Sequence, residues 1–463
     1  MNPEEANEKI AYLERENQEL RERIAELERR LALNSSNSSK PPASDGFGKQ
    51  TRRTQSLRKK SKRKSGGQPG HRGETLQAVA TPDEVVTYPA PGQCSGCGCD
   101  LWETPVSSLM RRQVFDVPKL NLAVTEHQVR VKHCPQCHQS VHHDFPEGVN
   151  APVQYGPRIR AIALYLHHQH FVPEERLMEL LSDVFSCSMV SGTLSTLTNT
   201  VSEAIEPVVE RIRDNLKASP VKHLDETGLR ISAKTQWLHV VSSATETWYR
   251  IASKRKDLEP LDGMKGVVVH DHWKSYFQLA GVTHGLCNAH HLRELKALQD
   301  IEHESWATRM SKLLTLACRY KNRHPKDIPQ TLQRRISTLY QKIVSRGLTF
   351  HESLPPLPRP SNRGRPKRRV GHNLLLRLKD YAEDVLRFLR QPEVPLTNNQ
   401  AERDLRMMKL KQKISGGFRS SDKADAFARI RSVLSSARKQ GISLLDVLSL
   451  AVQGKTPSLN SNT

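Results

Sequence analysis

Val221-Lys-His-Leu-Asp225-Glu-Thr-Gly-Leu-Arg-Ile231 reads as a β-strand, and Gln236 to Ser243 and Trp248 to Ala252 read as the next two. Lys265-Gly-Val-Val-Val269 is a short fourth strand of the apolar kind that is buried on both faces. Asp225 therefore lies within the first strand, and Asp271 lies just past the fourth in Val267-Val-Val-His270-Asp271-His-Trp273. If these strands are neighbours in one mixed sheet, the two carboxylates converge. Strand side chains alternate between faces, so Glu226 points away from Asp225, and Asp225 is the acid to expect in a site.

A third acid comes from a helix. Thr397-Asn398-Asn399 offers N-cap oxygens, and Glu402 follows about one turn later, before Arg403. Arg406, Lys409 and Lys413 continue one stripe of that helix, so the acid heads a basic face. Taken singly, each of these acids is most simply an ordinary exposed carboxylate. Strand, strand and helix together can hold two Mg2+ (or Mn2+) ions roughly 3.5–4 Å apart for in-line attack on a phosphodiester. Hard ions prefer oxygen, so the thiols of the chain have no part in that site.

The 463 residues exceed what one core holds, so two or three globular units with linkers are expected. Lys and Arg number 71 against 49 acids, a net charge of +22. That excess suits DNA through counterion release, ahead of a membrane surface. No apolar run approaches the ~20 residues of a membrane span. The opening Met1-Asn-Pro-Glu-Glu lacks the apolar core of a signal peptide. A bacterial cytoplasmic location is expected, nucleoid-associated during action, where eight cysteines mean metal rather than disulfides.

Ile10, Leu13, Asn17, Leu20, Ile24, Leu27 and Leu31 alternate three and four residues apart, the a and d positions of a coiled coil. A lone helix in water cannot satisfy so narrow a seam, and Asn17 at a favours an in-register parallel homodimer. The pattern stops at Asn34-Ser-Ser-Asn-Ser-Ser-Lys-Pro-Pro42, a polar linker. Lys59, Lys60, Lys62, Arg63 and Lys64 then lead a stretch rich in cations and free of acids, followed by Gly66-Gly-Gln-Pro-Gly-His-Arg-Gly73. A cationic arm lying on phosphates is the natural reading, with a solubilising tail as the plain alternative.

Cys94-Ser-Gly-Cys97 and Cys134-Pro-Gln-Cys137 are paired knuckles with the ligand count of one structural Zn2+. Cys99, His133, His138, His142 and His143 are substitute ligands, and Val114–Val117 and Leu122–Val124 look β-like between the knuckles. Residues 152–219 read as helical. Pro173 to Met189 onward has the outline of a helix-turn-helix, though two adjacent amphipathic helices give the same pattern. His167, His168 and His170 suggest a histidine metal pair for tyrosine nucleophiles, but Gln169 as spacer and the missing tyrosine helix argue against it.

With these segments in order, the chain resembles the transposases of insertion sequence 66 type elements. The matching segments are Asn34–Pro42, Gly66–Gly73, the paired knuckles, His223-Leu-Asp-Glu-Thr227, His270-Asp271, Cys287-Asn-Ala-His290, Thr397–Arg403 and Lys413-Ile-Ser-Gly-Gly-Phe-Arg-Ser420. The resemblance implies a DDE enzyme with an α/β ribonuclease-H-like catalytic core, Asp225, Asp271 and Glu402 as its triad, and accessory proteins encoded by the same element.

Expected organisation is multidomain: coiled coil (1–33), disordered basic linker (34–75), zinc-ribbon-like module (76–150), helical region with a DNA-binding reading (151–218), catalytic domain (219–455) and tail (456–463). The stretch between Asp271 and Glu402 is longer than such a core needs, so residues 300–395 are read as a helical insertion. Within it Arg363-Gly-Arg365 resembles an AT-hook core, or is a solvated basic loop. Cys287, His290 and His291 suggest a second metal site, but without a partner pair they point rather to packing at a helix start or a place beside the active site. Lys411 to Arg419 reads as a DNA-facing turn. The expected activity is cleavage at element ends and transfer of the 3′-hydroxyl strands to target DNA. A non-catalytic DNA-binding regulator would instead tolerate loss of the acids, and a nuclease on the same fold would cut without joining.

Overall fold

α1 (Pro3–Ala32) is one uninterrupted helix in the computed structural model, which describes residues 2–34, 37–38, 76–357 and 367–459. Its seam residues Ile10, Leu13, Leu20, Ile24, Leu27 and Leu31 are exposed. The arm residues Lys59, Lys60, Lys62, Arg63 and Lys64, and the loop residues Arg363 and Arg365, lie outside the described residues. Among the described residues no helix is long and apolar enough to cross a membrane.

Residues 76–150 hold little regular structure. β1 (Lys132–His133) and β2 (Ser140–Val141) pair antiparallel around the second knuckle. The β-like stretch expected at 114–124 is not a strand, and Val114, Val117 and Val124 are exposed. A strand needs a partner ladder, and none is supplied there.

Four helices follow: α2 (Pro157–Leu164), which runs into a π turn at Tyr165–Gln169, then α3 (Glu174–Phe185), α4 (Ser191–Ala204) and α5 (Glu206–Ala218). Their apolar faces, including Leu164, Leu181, Val201 and Ile212, share one core with Leu224, Val241 and Val268 of the sheet. The DNA-reading version of α3–α4 is not supported by its chemistry. α4 carries no Lys or Arg and buries Leu194, Leu197, Thr198 and Val201. His168 is buried against Thr198 (3.2 Å), and His167 meets the Val172 carbonyl (3.0 Å), so these histidines are packing residues.

The sheet contains β3 (Val221–Ile231), β4 (Lys234–Ser242), β5 (Thr247–Ala252), β6 (Gly266–His270) and β7 (Val282–Leu286), in the order β5-β4-β3-β6-β7. β3, β4 and β5 form an antiparallel meander, while β6 and β7 run parallel to β3. Four of these strands form where the sequence predicts them, within a residue or two. β7, Val-Thr-His-Gly-Leu, is too short and too weakly β-like to stand out.

After the sheet come α6 (Asn288–Asp300), α7 (Ser305–Arg323), α8 (Gln330–Ser353), α9 (Val370–Asp380) and α10 (Ala382–Arg390), packed around Trp306, Met310, Tyr340 and Leu375. These helices span the stretch read as an insertion, and their apolar cluster also takes in Leu286 of β7. α11 (Asn399–Ser415) and α12 (Ser421–Lys439) return to the sheet, and α13 (Leu444–Ala451) ends the fold. α12 is rich in Ala and Ser, which lets it approach β5 closely. Ser432 and Ser436 accept the Tyr249 and Thr247 amides at 2.9 and 3.0 Å. The edge strand thereby loses the free donors that invite unwanted pairing.

Candidate active site

Parallel pairing of β3 with β6 sets Val221 opposite Val267 and His223 opposite Val269. Two residues further along each strand lie Asp225 and Asp271, at one level where neighbouring strands run about 4.8 Å apart. The β6–β7 register sets His270 opposite Leu286, so the next residues, Asp271 and Cys287, share that level too. Three parallel strands thus present Asp225, Asp271 and Cys287 along one carboxyl edge, the usual ligand-binding edge of such sheets.

Burial pushes the Asp225 carboxyl up to about 8, helped by the neighbouring charges of Glu226, Asp271 and Glu402. The Glu226 amide donates back to Asp225 Oδ1 at 2.9 Å. Asp271 Oδ1 accepts the Trp273 amide at 2.9 Å, which fixes the chain as it leaves β6. Glu226 belongs to a different set of contacts. Its carboxylate accepts from Tyr276 Oη and from Arg255 Nε (2.9 Å), and Arg255 stacks between Trp237 and Trp273 at 5.0 and 4.6 Å. Burial raises the Glu226 pKa, with Tyr276 and Arg255 opposing the rise.

Glu402 sits in the first turn of α11, where the helix dipole favours an anion. The expected N-cap role of the preceding asparagines needs correction. Asn398 is the cap residue, yet its side chain makes no cap hydrogen bond. Its Nδ2 donates to the Leu224 carbonyl (2.7 Å), and its Oδ1 lies 2.9 Å from His223 Nδ1. Since Nδ2 is the donor to Leu224, Oδ1 accepts and His223 must donate. Burial holds His223 down at about 4, so the ring is neutral. The Asn398 amide in turn donates to Cys287 Sγ at 3.2 Å. One buried asparagine therefore ties the start of α11 to β3 and to the end of β7.

The other side of α11 is fixed by Asp404. Its carboxylate accepts from Lys439 Nζ (2.8 Å), Thr247 Oγ1 (3.1 Å) and Ser242 Oγ. Two residues apart on a helix point to nearly opposite sides, so this anchor turns Glu402 toward the strand edge. Arg406, Lys409 and Lys413 are exposed on the same helix.

Glu402 Oε1 lies 3.9 Å from His290 Nδ1, and Cys287, His290 and Glu402 present ligand atoms within 4.8 Å of one another. Burial opposes charge on His290, but Cys287 and Glu402 outweigh it and push the imidazole up to about 9. His291, grouped with these two by sequence, instead pairs with His272 Nδ1 at 3.1 Å and is buried. The Cys-x-x-His spacing was the legible signal; its third partner, more than a hundred residues away, was not. Asn398, Arg255, Tyr276 and Asp404 carried no signal in the sequence for the contacts they make.

Of the turn expected at Lys411–Arg419, residues 411–415 are instead the last turn of α11, and the segment after it folds inward. Lys411 lies over Phe418 at 4.6 Å, the Phe418 amide donates to the Arg230 carbonyl (2.8 Å), and a Cβ at Gly417 would collide with that carbonyl.

The two knuckles share one backbone geometry. Gly98 and His138 donate to the Cys94 and Cys134 carbonyls, each at 2.9 Å, and both adopt left-handed backbone. His138 thus fills the turn position of Gly98. Backbone amides of Gly96 and Cys97 lower the Cys94 pKa, and those of Cys137 and Gln136 lower that of Cys134, as thiolate ligands require. His133 and His142 are engaged with Ser140 and the His143 carbonyl. Each knuckle gathers its own pair, whereas no three of the four sulfurs come within 4.8 Å.

Three family models match. One described as the transposase IS66 family covers residues 152–426, and one for the zinc-finger binding domain of transposase IS66 covers residues 91–138. A family of unknown function covers residues 1–77. The uncharacterized protein y4jO of Sinorhizobium fredii is 37% identical over 70 residues, 15% of this chain and 22% of that protein.

Proposed function

The chain belongs to the transposase IS66 family, and on that premise we propose that it cleaves the ends of a mobile DNA element and joins the freed strands to target DNA. The observation that carries this reading is the register that sets Asp225 and Asp271 level on neighbouring strands, with Glu402 in the first turn of the helix tied to β3 through Asn398. The strand order, an antiparallel meander extended by two parallel strands, supports a ribonuclease-H-like core.

Asp225, Asp271 and Glu402 would hold Mg2+ or Mn2+. The donor set fits: it is oxygen-rich, burial and then neighbouring like charges raise the Asp225 pKa, and Glu402 Oε1 is buried without a hydrogen-bond partner. When bound, such ions acidify the attacking hydroxyl and neutralise charge on the phosphate and the leaving oxygen. The protein's own groups do the rest. Asn398 and Asp404 hold α11 in place, the Trp273 amide orients Asp271, and Arg255 with Tyr276 holds the Glu226 carboxylate. Arg406, Lys409 and Lys413 lie along the path for the phosphate chain. Water attacks phosphorus in line and the strand's 3′ oxygen leaves as a hydroxyl. That hydroxyl then attacks target DNA, displacing a second 3′ oxygen, without a covalent protein intermediate.

The knuckles would bind structural Zn2+, the exposed α1 seam would pair with a second copy, and the basic arm and the Arg363–Arg365 loop would lie on phosphates or in a minor groove. Accessory proteins of the element and action at the nucleoid belong to the same reading.

The test is Mg2+-dependent cleavage and joining on DNA carrying the element's ends, with its accessory proteins supplied. Wild type is expected to cut and join, and Glu402→Gln to bind DNA with activity lower by about 10³-fold or more. Cutting that survives in the variant overturns the assignment of Glu402. Equal binding with no cutting by either protein favours a DNA-binding regulator.

A further inference from the structure

Glu402 has neighbours that phosphodiester chemistry does not use. Cys287, His290 and Glu402 are the one group of three such donors within 4.8 Å among the described residues. His290 Nδ1 and Glu402 Oε1 face each other at 3.9 Å, and both atoms are buried without a hydrogen-bond partner. Two ligands of one tetrahedral ion, each ~2.0–2.2 Å from it, lie roughly 3.3–3.6 Å apart, so the gap needs little closing. Cys287 is 1% exposed, is level with Asp271, and its sulfur accepts the Asn398 backbone amide at 3.2 Å. Buried polar atoms left unpaired are costly, and one shared ion would satisfy both. Thiol plus imidazole makes this end of the edge soft, in contrast to the two aspartates.

We propose that Cys287, His290 and Glu402 form a binding site for a thiophilic divalent ion such as Zn2+, and that its capture of Glu402 shuts off the Mg2+-dependent reaction. The inhibitory half rests on the role given to Glu402 above; the binding half does not. On binding, the Cys287 thiol releases its proton to solvent as sulfur bonds the ion, and His290 Nδ1 binds through its lone pair. Glu402 is then committed to the β7 end of the edge, and Asp225 and Asp271 lose their third oxygen donor.

The experiment is equilibrium dialysis of the full chain against buffered Zn2+, with zinc per chain measured for wild type, Cys287→Ala, His290→Ala and Cys94→Ser. Far-UV circular dichroism identifies the variants that fold. Wild type is expected to hold one more zinc than Cys287→Ala or His290→Ala. Cys94→Ser is expected to lose knuckle zinc while keeping the additional ion. As that additional site fills, wild-type Mg2+-dependent cleavage should fall at least tenfold. Equal zinc in wild type and in the folded Cys287 and His290 variants overturns the site. Additional zinc without loss of cleavage overturns the inhibition. Absence of any Mg2+-dependent cleavage would count against the transposase reading instead, because the dialysis result stands without it.

Discussion

The sheet edge and the knuckle module place metal-type ligands in opposite ways. At the edge, Asp225, Asp271 and Cys287 are set by strand register, and Glu402 by a helix clamped on two sides through Asn398 and Asp404. In the module, only turn-scale hydrogen bonds shape each knuckle, and apolar residues such as Trp102, Met110 and Val114 remain exposed. An apolar core preorganises the first set before any ion arrives. The second set has no such core, so its ion must supply much of the ordering free energy.

The largest effect that would sharpen this contrast is removal of structural zinc. Binding of such an ion is worth about 10–16 kcal/mol in small fingers. Chelation, or Cys134→Ser, should therefore abolish amide-exchange protection across residues 76–150 and leave β3, β6 and α12 protected. Slow exchange persisting in the module after chelation would break the contrast.

Next in size is Asn398→Ala, which strips partners from His223 and the Leu224 carbonyl in a buried place. It should cost about 2–4 kcal/mol in denaturant unfolding. Cleavage should also fall about 10–100-fold, as for other residues that orient ligands. Wild-type cleavage in a destabilised protein would show that the clamp serves stability alone.

A smaller effect follows from the burial of Asp225 among other acids. The folded-state pKa of Asp225, about 8, lies above its unfolded value, so the folded state binds the proton more tightly. In magnesium-free buffer, stability should be greatest below about pH 4 for this group and decline as pH rises through 8. Asp225→Asn should remove that decline and raise the melting temperature at pH 8 by a few degrees, about 1–2 kcal/mol. Calorimetry across pH reads both, and an unchanged slope in the variant would refute the assignment.

The smallest effects concern the basic face of α11. Arg406→Ala, Lys409→Ala and Lys413→Ala should each weaken DNA binding similarly across sequences. Each should reduce the slope of log affinity against log salt by about 1. A variant that alters sequence preference instead would place that side chain against bases.

Much of this molecule was readable before folding. The strand carrying Asp225, the apolar run before Asp271, the helix beginning near Glu402 and the two knuckles all announce themselves within a dozen residues of local pattern. β7 did not, because its conformation is imposed by pairing with β6. Asn398 was legible as a capping residue, but competition from buried partners on β3 turned its side chain inward. His291 was grouped with His290 by adjacency, yet successive helix residues point about 100° apart, and it reaches His272 instead.

Local sequence determined the chemistry on offer: carboxylates at strand ends and a helix start, thiols in tight turns, a basic helix face and a net charge of +22. Tertiary structure alone decided which of these groups meet. Strand register brings Asp225, Asp271 and Cys287 to one level, and the placement of α11 brings Glu402 to His290. The first depends on pairing between strands tens of positions apart and the second on packing across more than a hundred and fifty, and no local periodicity encodes either.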